Sequence, residues 1–429
     1  MQKTPRLFFL AVALLLWAGL ARAADVHPAS ALDELVAVAL ANNPELHADE
    51  ARWESFRHKA RQAGVLEDPM LMLRAQNLLI RDPVAFDRDS TSAKVIGLSQ
   101  TLPFFGKRAL NREAADQEAE AARWSLAERR LELSAMVKEA WYQLLFVDQA
   151  LAITEKNITL LDDLGRFRES MYSVGQGSQQ EVARTHLERS RMEEMRIALR
   201  QQRRSLEATL NTLAFRPADT PITPTAALVI TPLAMTAAEL EALAEESRPL
   251  LRGLAAREEK SRLMRELAAK ERFPDFTLAV EYMQREPSTM DSDGFDMYSA
   301  GVIINLPIQQ QRRQAMVAES EAEQRMVRGE GQAARNRIRL AIADGLARLE
   351  RSSHLAQLYR EGLIPQAEHV HAAATATYRA GKGSFMEVLE SRMTLFTLER
   401  EYFDAVAEHQ MQLARLEAAI GTPLPVAKQ

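Results

Sequence analysis

Two carboxylates three residues apart, Glu387 and Glu390, stand where an internal copy of the same motif carries Glu181 and Arg184. On a helix that spacing puts both acids on neighbouring parts of one face, concentrating negative charge there. The plainer reading is a capping Glu387 beside a solvated Glu390. Ser178-x-x-Glu181 and Ser384-x-x-Glu387 both fit the capping box, in which serine accepts from the backbone and glutamate reaches back. Other reactive types are sparse. The 429 residues include no cysteine, which excludes disulfides, thiolate metal sites, a cysteine nucleophile and lipid attachment through an N-terminal cysteine. His369 and His371 are two apart and do not share a helix face, unlike the four-residue spacing of helical zinc sites. Met70, Met72, Met283 and Met297 offer thioethers that suit soft ions, but read first as apolar filler or lipid contact. No nucleophile–base pair, metal-ligand spacing or phosphate loop stands out, so neither an enzyme nor a cofactor is expected.

The elements that position these residues come from a duplication. "YSVGQGSQQEV" from Tyr172 and "YRAGKGSFMEV" from Tyr378 keep Tyr, two Gly, Ser, Glu and Val in step 206 residues apart. Pro44 and Pro249, Pro69 and Pro274, Pro103 and Pro307, and Pro217 and Pro423 repeat at 204–206 residues. The expected units are a first repeat at 24–217, a proline-rich linker at 218–237, a second repeat at 238–423 and a tail at 424–429. Each repeat reads as helix, strand pair and long helical hairpin, the hairpins at 107–213 and 312–420. From Lys107 to Met171 there is no proline and only Gly165, which allows roughly 100 Å of helix. Leu126, Leu133, Ala140 and Val147 recur every seven residues, as do Val137, Leu144, Leu151 and Ile158, the period of packed coiled-coil helices. In the second hairpin Pro365 should kink or interrupt the helix. Gly175 and Gly381 follow the long helices as left-handed caps.

The amino terminus reads as an export signal. Lys3 and Arg6 precede an apolar run from Leu7 to Leu20 and an Ala-Arg-Ala site, so residues 1–23 are expected to be cleaved after Ala23. Their loss moves the formal charge from −5 to −8, which disfavours nucleic acid as a partner. The strand pairs are expected at 69–79 with 92–102 and at 276–284 with 297–307. In "FTLAVEYMQ" Phe276, Leu278, Val280 and Tyr282 alternate with Thr277, Ala279, Glu281 and Met283. Each run has about the length of a membrane-spanning strand, ~9–11 residues. Four strands cannot cross a bilayer with open edges, but three chains would supply twelve and close.

Taken together, the duplicated prolines, the strand exits "TLPFFGKR" and "NLPIQQQR" and the two Tyr-x-x-Gly turns resemble the TolC-type outer-membrane efflux channels. Within that family "SQTLPFFGKRALNREAA" is most similar to the CzcC-like, heavy-metal branch. The resemblance implies a mainly α fold with a small β part. It implies a homotrimer whose helical hairpins form an α-barrel tunnel across the periplasm and whose strands form a twelve-stranded barrel in outer-membrane lipid. It implies a periplasmic adaptor and a proton-driven inner-membrane pump as partners, with heavy-metal cations as cargo. An organic-compound channel of the same family is the alternative, and a coiled-coil adaptor or structural spacer is a more distant one. By resemblance Tyr378, Glu387 and Glu390 belong to the pore gate. The tips Val174, Gly175, Gln176 and Ala380, Gly381, Lys382 would dock the adaptor. Where family members often carry leucine after the first glycine, this chain has Gln176 or Lys382.

Overall fold

The computed structural model describes residues 31–224, 227–288 and 293–425, so the expected signal peptide lies outside the described residues. Each half begins with two helices where the sequence suggested one. They are α1 (Ala31–Asn42) and α2 (Pro44–Ala63), and, in the second half, α5 (Ala237–Ser247) and α6 (Pro249–Lys270). The breaks fall at Pro44 and Pro249, whose missing N–H suits a first turn but not a helix interior. Asn43 caps α2 by accepting from Glu45 N at 2.9 Å and Leu46 N at 3.3 Å. Arg248 has no such acceptor at the matching position. Glu128, from the long helix that follows, fills the role by accepting from Leu250 N at 3.1 Å while pairing with Arg248.

Strands β1 (Met70–Gln76) and β2 (Ala93–Leu102) lead into α3 (Lys107–Ser173), a helix of 67 residues, and α4 (Gln179–Leu213). Strands β3 (Phe276–Gln284) and β4 (Met297–Ile304) lead into α7 (Gln310–Leu358). A π-helical turn at Tyr359–Leu363 precedes α8 (Ile364–Arg379), and α9 (Phe385–Ile420) returns. Pro365 therefore acts one turn earlier than its own position. Its ring crowds the carbonyl four residues back, and the helix widens so that Ile364 N donates to Tyr359 O, five residues back.

The helices form one layer in the order α2 with α4, α3, α6 with α9, then α7 with α8. The shorter helices stack end to end. Asn43 Nδ2 donates to Leu213 O, joining α2 to α4, and Gly421 (φ +88°) brings the end of α9 against Arg248 at the start of α6. Leu126, Leu133, Val137, Leu144, Val147, Leu151 and Ile158 of α3 are all buried, as the heptads require. The linker straps across the layer, with Ile222 and Leu228 in the core. His409 Nε2 donates to Thr231 O at 2.8 Å and Gln410 binds Val229 O, pinning the strap to α9.

The sheet runs β1-β2-β3-β4, antiparallel throughout, with β1 and β4 as its two edges. Its faces differ. Leu71, Leu73, Ile96, Leu98, Val280 and Val302 lie on one face and are 52–72% exposed. The other face mixes small and polar residues with four methionines, Val95 and Ile303. β1 and β4 are shorter than the alternation suggested. β1 ends where Asn77 takes φ +56° and donates to Thr91 O. β4 ends where Asn305 Oδ1 accepts from Asp275 N at 2.6 Å.

Candidate functional site

The strand exits are tied to the long helices by one buried cation. Lys107 Nζ donates to Asp275 Oδ1 at 3.0 Å, Glu271 Oε2 at 3.3 Å and Phe273 O at 3.3 Å. Asp275 also accepts from Phe104 N at 2.7 Å, and Phe104 stacks on Phe273 with ring centroids 4.5 Å apart. The "PFFGKR" and "RFPDF" segments thus lock to each other at the junction of sheet and helices.

At the far end, the two hairpin tips share one backbone solution. Gly175 has φ +76° and Gly381 has φ +72°. Gly175 N donates to Tyr172 O and Gln176 N to Met171 O, while Gly381 N donates to Tyr378 O and Lys382 N to Thr377 O. This pair of bonds is the Schellman cap, which satisfies the last carbonyls of α3 and α8 and needs a left-handed residue at its centre. Val174, Gly175, Gln176, Ala380, Gly381 and Lys382 are all exposed at the tips.

The caps of the returning helices differ. Ser178 Oγ accepts from Glu181 N at 3.2 Å and Glu181 returns to Ser178 N at 3.4 Å, a full capping box. Ser384 Oγ instead accepts from Met386 N at 3.1 Å, and Glu387 does not close the box. The expected second box is corrected to a simple serine cap. The bond to the second rather than the third helical N–H leaves the Glu387 carboxylate in solvent.

The surroundings of the tips differ more. Tyr172 is exposed, whereas Tyr378, its counterpart, lies against Phe385 at 6.0 Å between ring centroids. Phe385 is 2% exposed; its counterpart Gln179 is exposed. Both second-hairpin rings pack on Arg168 of α3, whose guanidinium carbon is 4.7 Å from the Tyr378 ring centre and 4.1 Å from that of Phe385. Arg168 Nη2 donates to the Tyr378 hydroxyl, and Nη1 lies 3.4 Å from Glu181 Oε2. Burial pushes the Arg168 guanidinium below its usual range, and Glu181 partly restores it. One buried arginine therefore joins the capping box of one hairpin to the tyrosine of the other. Its position was legible in retrospect: Leu126, Leu133, Ala140, Val147, Thr154, Leu161 and Arg168 continue a single heptad series into the core.

Further polar residues enter that seam. Arg392 of α9, buried, donates to Asn157 Oδ1 of α3 at 3.0 Å. His371 Nδ1 lies 3.0 Å from Ser391 Oγ, and burial followed by the Arg392 charge holds its imidazole below the usual range. His369 is exposed, so the two histidines do point apart. Glu387 and Glu390 are exposed, and among the described residues neither has an ion-pair partner. Their first-hairpin counterparts are both engaged, Glu181 with Arg168 and Arg184 with Glu188 at 3.2 Å. No group of three or more His, Asp or Glu among the described residues could hold a metal ion, and no described helix is long and apolar enough to cross a membrane.

Comparison with known proteins bears on the whole chain. The sequence model described as "Outer membrane efflux protein" matches residues 35–214 and 240–422, most of the chain. The cobalt-zinc-cadmium resistance protein CzcC of Cupriavidus metallidurans is 22% identical over 412 residues, 91% of this chain and 90% of that protein. The pyoverdine export outer membrane protein OpmQ of Pseudomonas aeruginosa is 25% identical over 410 residues, 91% of this chain and 83% of that protein. Among solved structures, VceC of Vibrio cholerae superposes with a TM-score of 0.77 at 19% identity, covering 92% of this chain and 96% of that one. CusC superposes with a TM-score of 0.78 at 17% identity, covering 91% and 92%.

Proposed function

We propose, from the premise that the chain belongs to the outer membrane efflux protein family, that three copies assemble into one conduit from periplasm to exterior. The family is one of transport channels and not of catalysts. The observation that carries the trimer is the sheet. Four antiparallel strands have one broad apolar, exposed face and two edges, β1 and β4, without a strand beyond them among the described residues. In hydrocarbon such edges would leave backbone N–H and C=O groups unpaired, at several kcal/mol each. Three copies joined β4 to β1 give twelve strands and no edge. The helical layer, with α2 and α4 at one margin and α7 and α8 at the other, closes in the same way into an α-barrel.

The narrow end of that tunnel is the hairpin end. Three copies would bring six exposed carboxylates, Glu387 and Glu390, around the axis, with Tyr378 held on Arg168 beside them. Repulsion between two such charges at ~10 Å in water is only ~0.4 kcal/mol, but a ring between low-dielectric walls focuses the field and favours cations. The exposed tips are the docking points for a periplasmic adaptor that links the channel to a proton-driven inner-membrane pump. Residues 1–23 would direct export and be removed in the course of it.

Heavy-metal cations are the cargo this reading favours, supported by the acidic entrance and by the similarity to a cobalt-zinc-cadmium resistance protein. A second reading, export of an organic compound, is supported by the comparable similarity to a pyoverdine exporter. Deleting the gene and scoring growth against cobalt, zinc, cadmium, copper and silver, and separately against siderophore and drug panels, separates them. Lost metal tolerance alone supports the first. Lost drug tolerance or siderophore export with unchanged metal tolerance overturns it.

A further inference from the structure

Where the sheet meets the helices, its apolar face runs into a cleft of about 960 Å³. One wall is apolar. Leu102, Phe276, Leu278 and Val302 line it from the same side of the sheet as Leu98 and Val280. Phe105, 83% exposed, extends that wall past the end of β2. The other wall is the start of α3 and carries Arg108, Arg112, Glu113 and Asp116. Every lining residue belongs to one copy of the chain, so the cleft needs no seam between copies to exist.

The charges of that wall come in a fixed order. Helix α3 begins at Lys107, just past the strand exit, and leads away from the sheet. The two arginines therefore come first and the two acids after them, the centres of the pairs about 7 Å apart along the axis. Arg108 Nε and Nη2 donate to Gly64 O at 3.2 and 2.8 Å, which fixes the guanidinium and leaves Nη1 without a partner among the described residues. Gly64 also makes room for Arg112, since a Cβ there would come 2.9 Å from Arg112 Cδ. Arg112 and Asp116 form a loose, exposed pair at 3.8 Å. Arg108 and Glu113 have no ion-pair partner among the described residues.

The internal duplication shows that this pattern is not needed to start a long helix from a strand exit. At the spacing of 204 residues that relates Pro103 to Pro307, Arg108 corresponds to Arg312. Arg112, Glu113 and Asp116 correspond to Met316, Val317 and Ser320. The second repeat makes the same junction without the ordered charges. They belong to the first repeat, whose helix lines the cleft.

Resting on the outer-membrane channel reading, we propose that this cleft seats one phospholipid of the periplasmic leaflet per copy and selects phosphatidylethanolamine. An acyl chain covers the apolar wall, continuous with the face the sheet turns to hydrocarbon. The phosphate meets Arg108 and Arg112, whose planar forks match its oxygens. The primary ammonium, one two-carbon arm further from the bilayer, meets Glu113 and Asp116. That arm and four flexible side chains span the offset between the charge pairs. A glycerol headgroup would leave the two acids uncompensated. A choline headgroup brings the charge but no N–H to donate, so its fit is poorer on both counts.

The test is native mass spectrometry of the full chain in detergent, with phosphatidylethanolamine, phosphatidylcholine or phosphatidylglycerol of identical acyl chains added at equal concentration. The reading is the fraction of protein that retains lipid. The wild type should retain phosphatidylethanolamine at least fivefold more than either of the others. Glu113→Gln/Asp116→Asn should bring phosphatidylethanolamine down to the level of phosphatidylcholine. Arg112→Gln should lower all three at least threefold, whereas Arg312→Gln, at the place in the second repeat that matches Arg108, should leave the preference unmoved. All these positions are exposed, and thermal melting checks that each variant is folded. If the double acid variant does not fold, Glu113→Gln alone should still halve the preference. A wild type without the preference, acid variants that keep it, or an Arg312→Gln protein that loses it overturns the headgroup site and leaves the channel standing. A wild type that neither inserts into planar bilayers nor conducts overturns the channel reading and this inference with it.

Discussion

The hairpin tips at Gly175 and Gly381 are the same turn twice, with the same left-handed glycine and the same two cap bonds, yet one faces solvent and the other is packed. In the first tip the polar groups are consumed locally: Ser178 and Glu181 close a capping box, and Arg184 pairs with Glu188. In the second, Tyr378 and Phe385 turn inward onto Arg168 while Glu387 and Glu390 turn outward. Duplication supplied two identical supports. Divergence then made one a scaffold with an internal charge network and the other an element whose contacts cross between hairpins. A contact that crosses can be broken without unfolding either partner, which is the physical requirement for a gate.

Substitutions at matched positions can break that comparison. The largest difference is expected between Phe385→Ala and Gln179→Ala. The first empties a fully buried site and should cost ~3–5 kcal/mol, whereas the second, on an exposed position, should stay within ~0.5 kcal/mol. Thermal melting of the purified protein reads both, and equal effects would end the claim of asymmetry. Next is Tyr378→Phe against Tyr172→Phe. Loss of the hydroxyl at Tyr378 leaves an Arg168 N–H buried without its acceptor, at ~1–3 kcal/mol, and should raise the current through the resting channel. Tyr172 is 49% exposed, and its hydroxyl should be dispensable for both stability and current.

A smaller effect concerns acid. Burial, and after it the Arg392 charge, hold the His371 imidazole below its ordinary value of 6.5. The unfolded chain therefore takes up the proton first, and the stability of the second hairpin should be full above pH 6.5 and decline below it. His371→Gln should flatten that slope in a melting series; the matching place in the first hairpin is Gly165, which has no side chain to titrate. A slope unchanged in the variant would remove His371 from the account.

Much of this architecture was legible because it rests on local rules. Prolines in register marked the duplication, alternation marked the strands, and the heptads of α3 marked its buried seam. What escaped was tertiary. Arg168 continues the heptad series, but a cation at a core position looks like an exception until Tyr378, Phe385 and Glu181 are seen around it. The failed capping box at Glu387 escaped for a similar reason. The motif allows the reciprocal bond, and only the backbone of that turn decides whether serine binds the second or third helical N–H. Lys107 appeared only as part of a familiar strand exit. Its three acceptors come from a segment more than 160 residues away.

The central claim is that the second hairpin governs a cation-favouring entrance to a trimeric channel, and single-channel recording tests it most directly. The wild type should conduct, select cations over anions and be blocked by divalent ions. Glu387→Gln/Glu390→Gln should conduct with reduced cation selectivity and weakened divalent block. Unchanged selectivity and block in that variant would contradict the account.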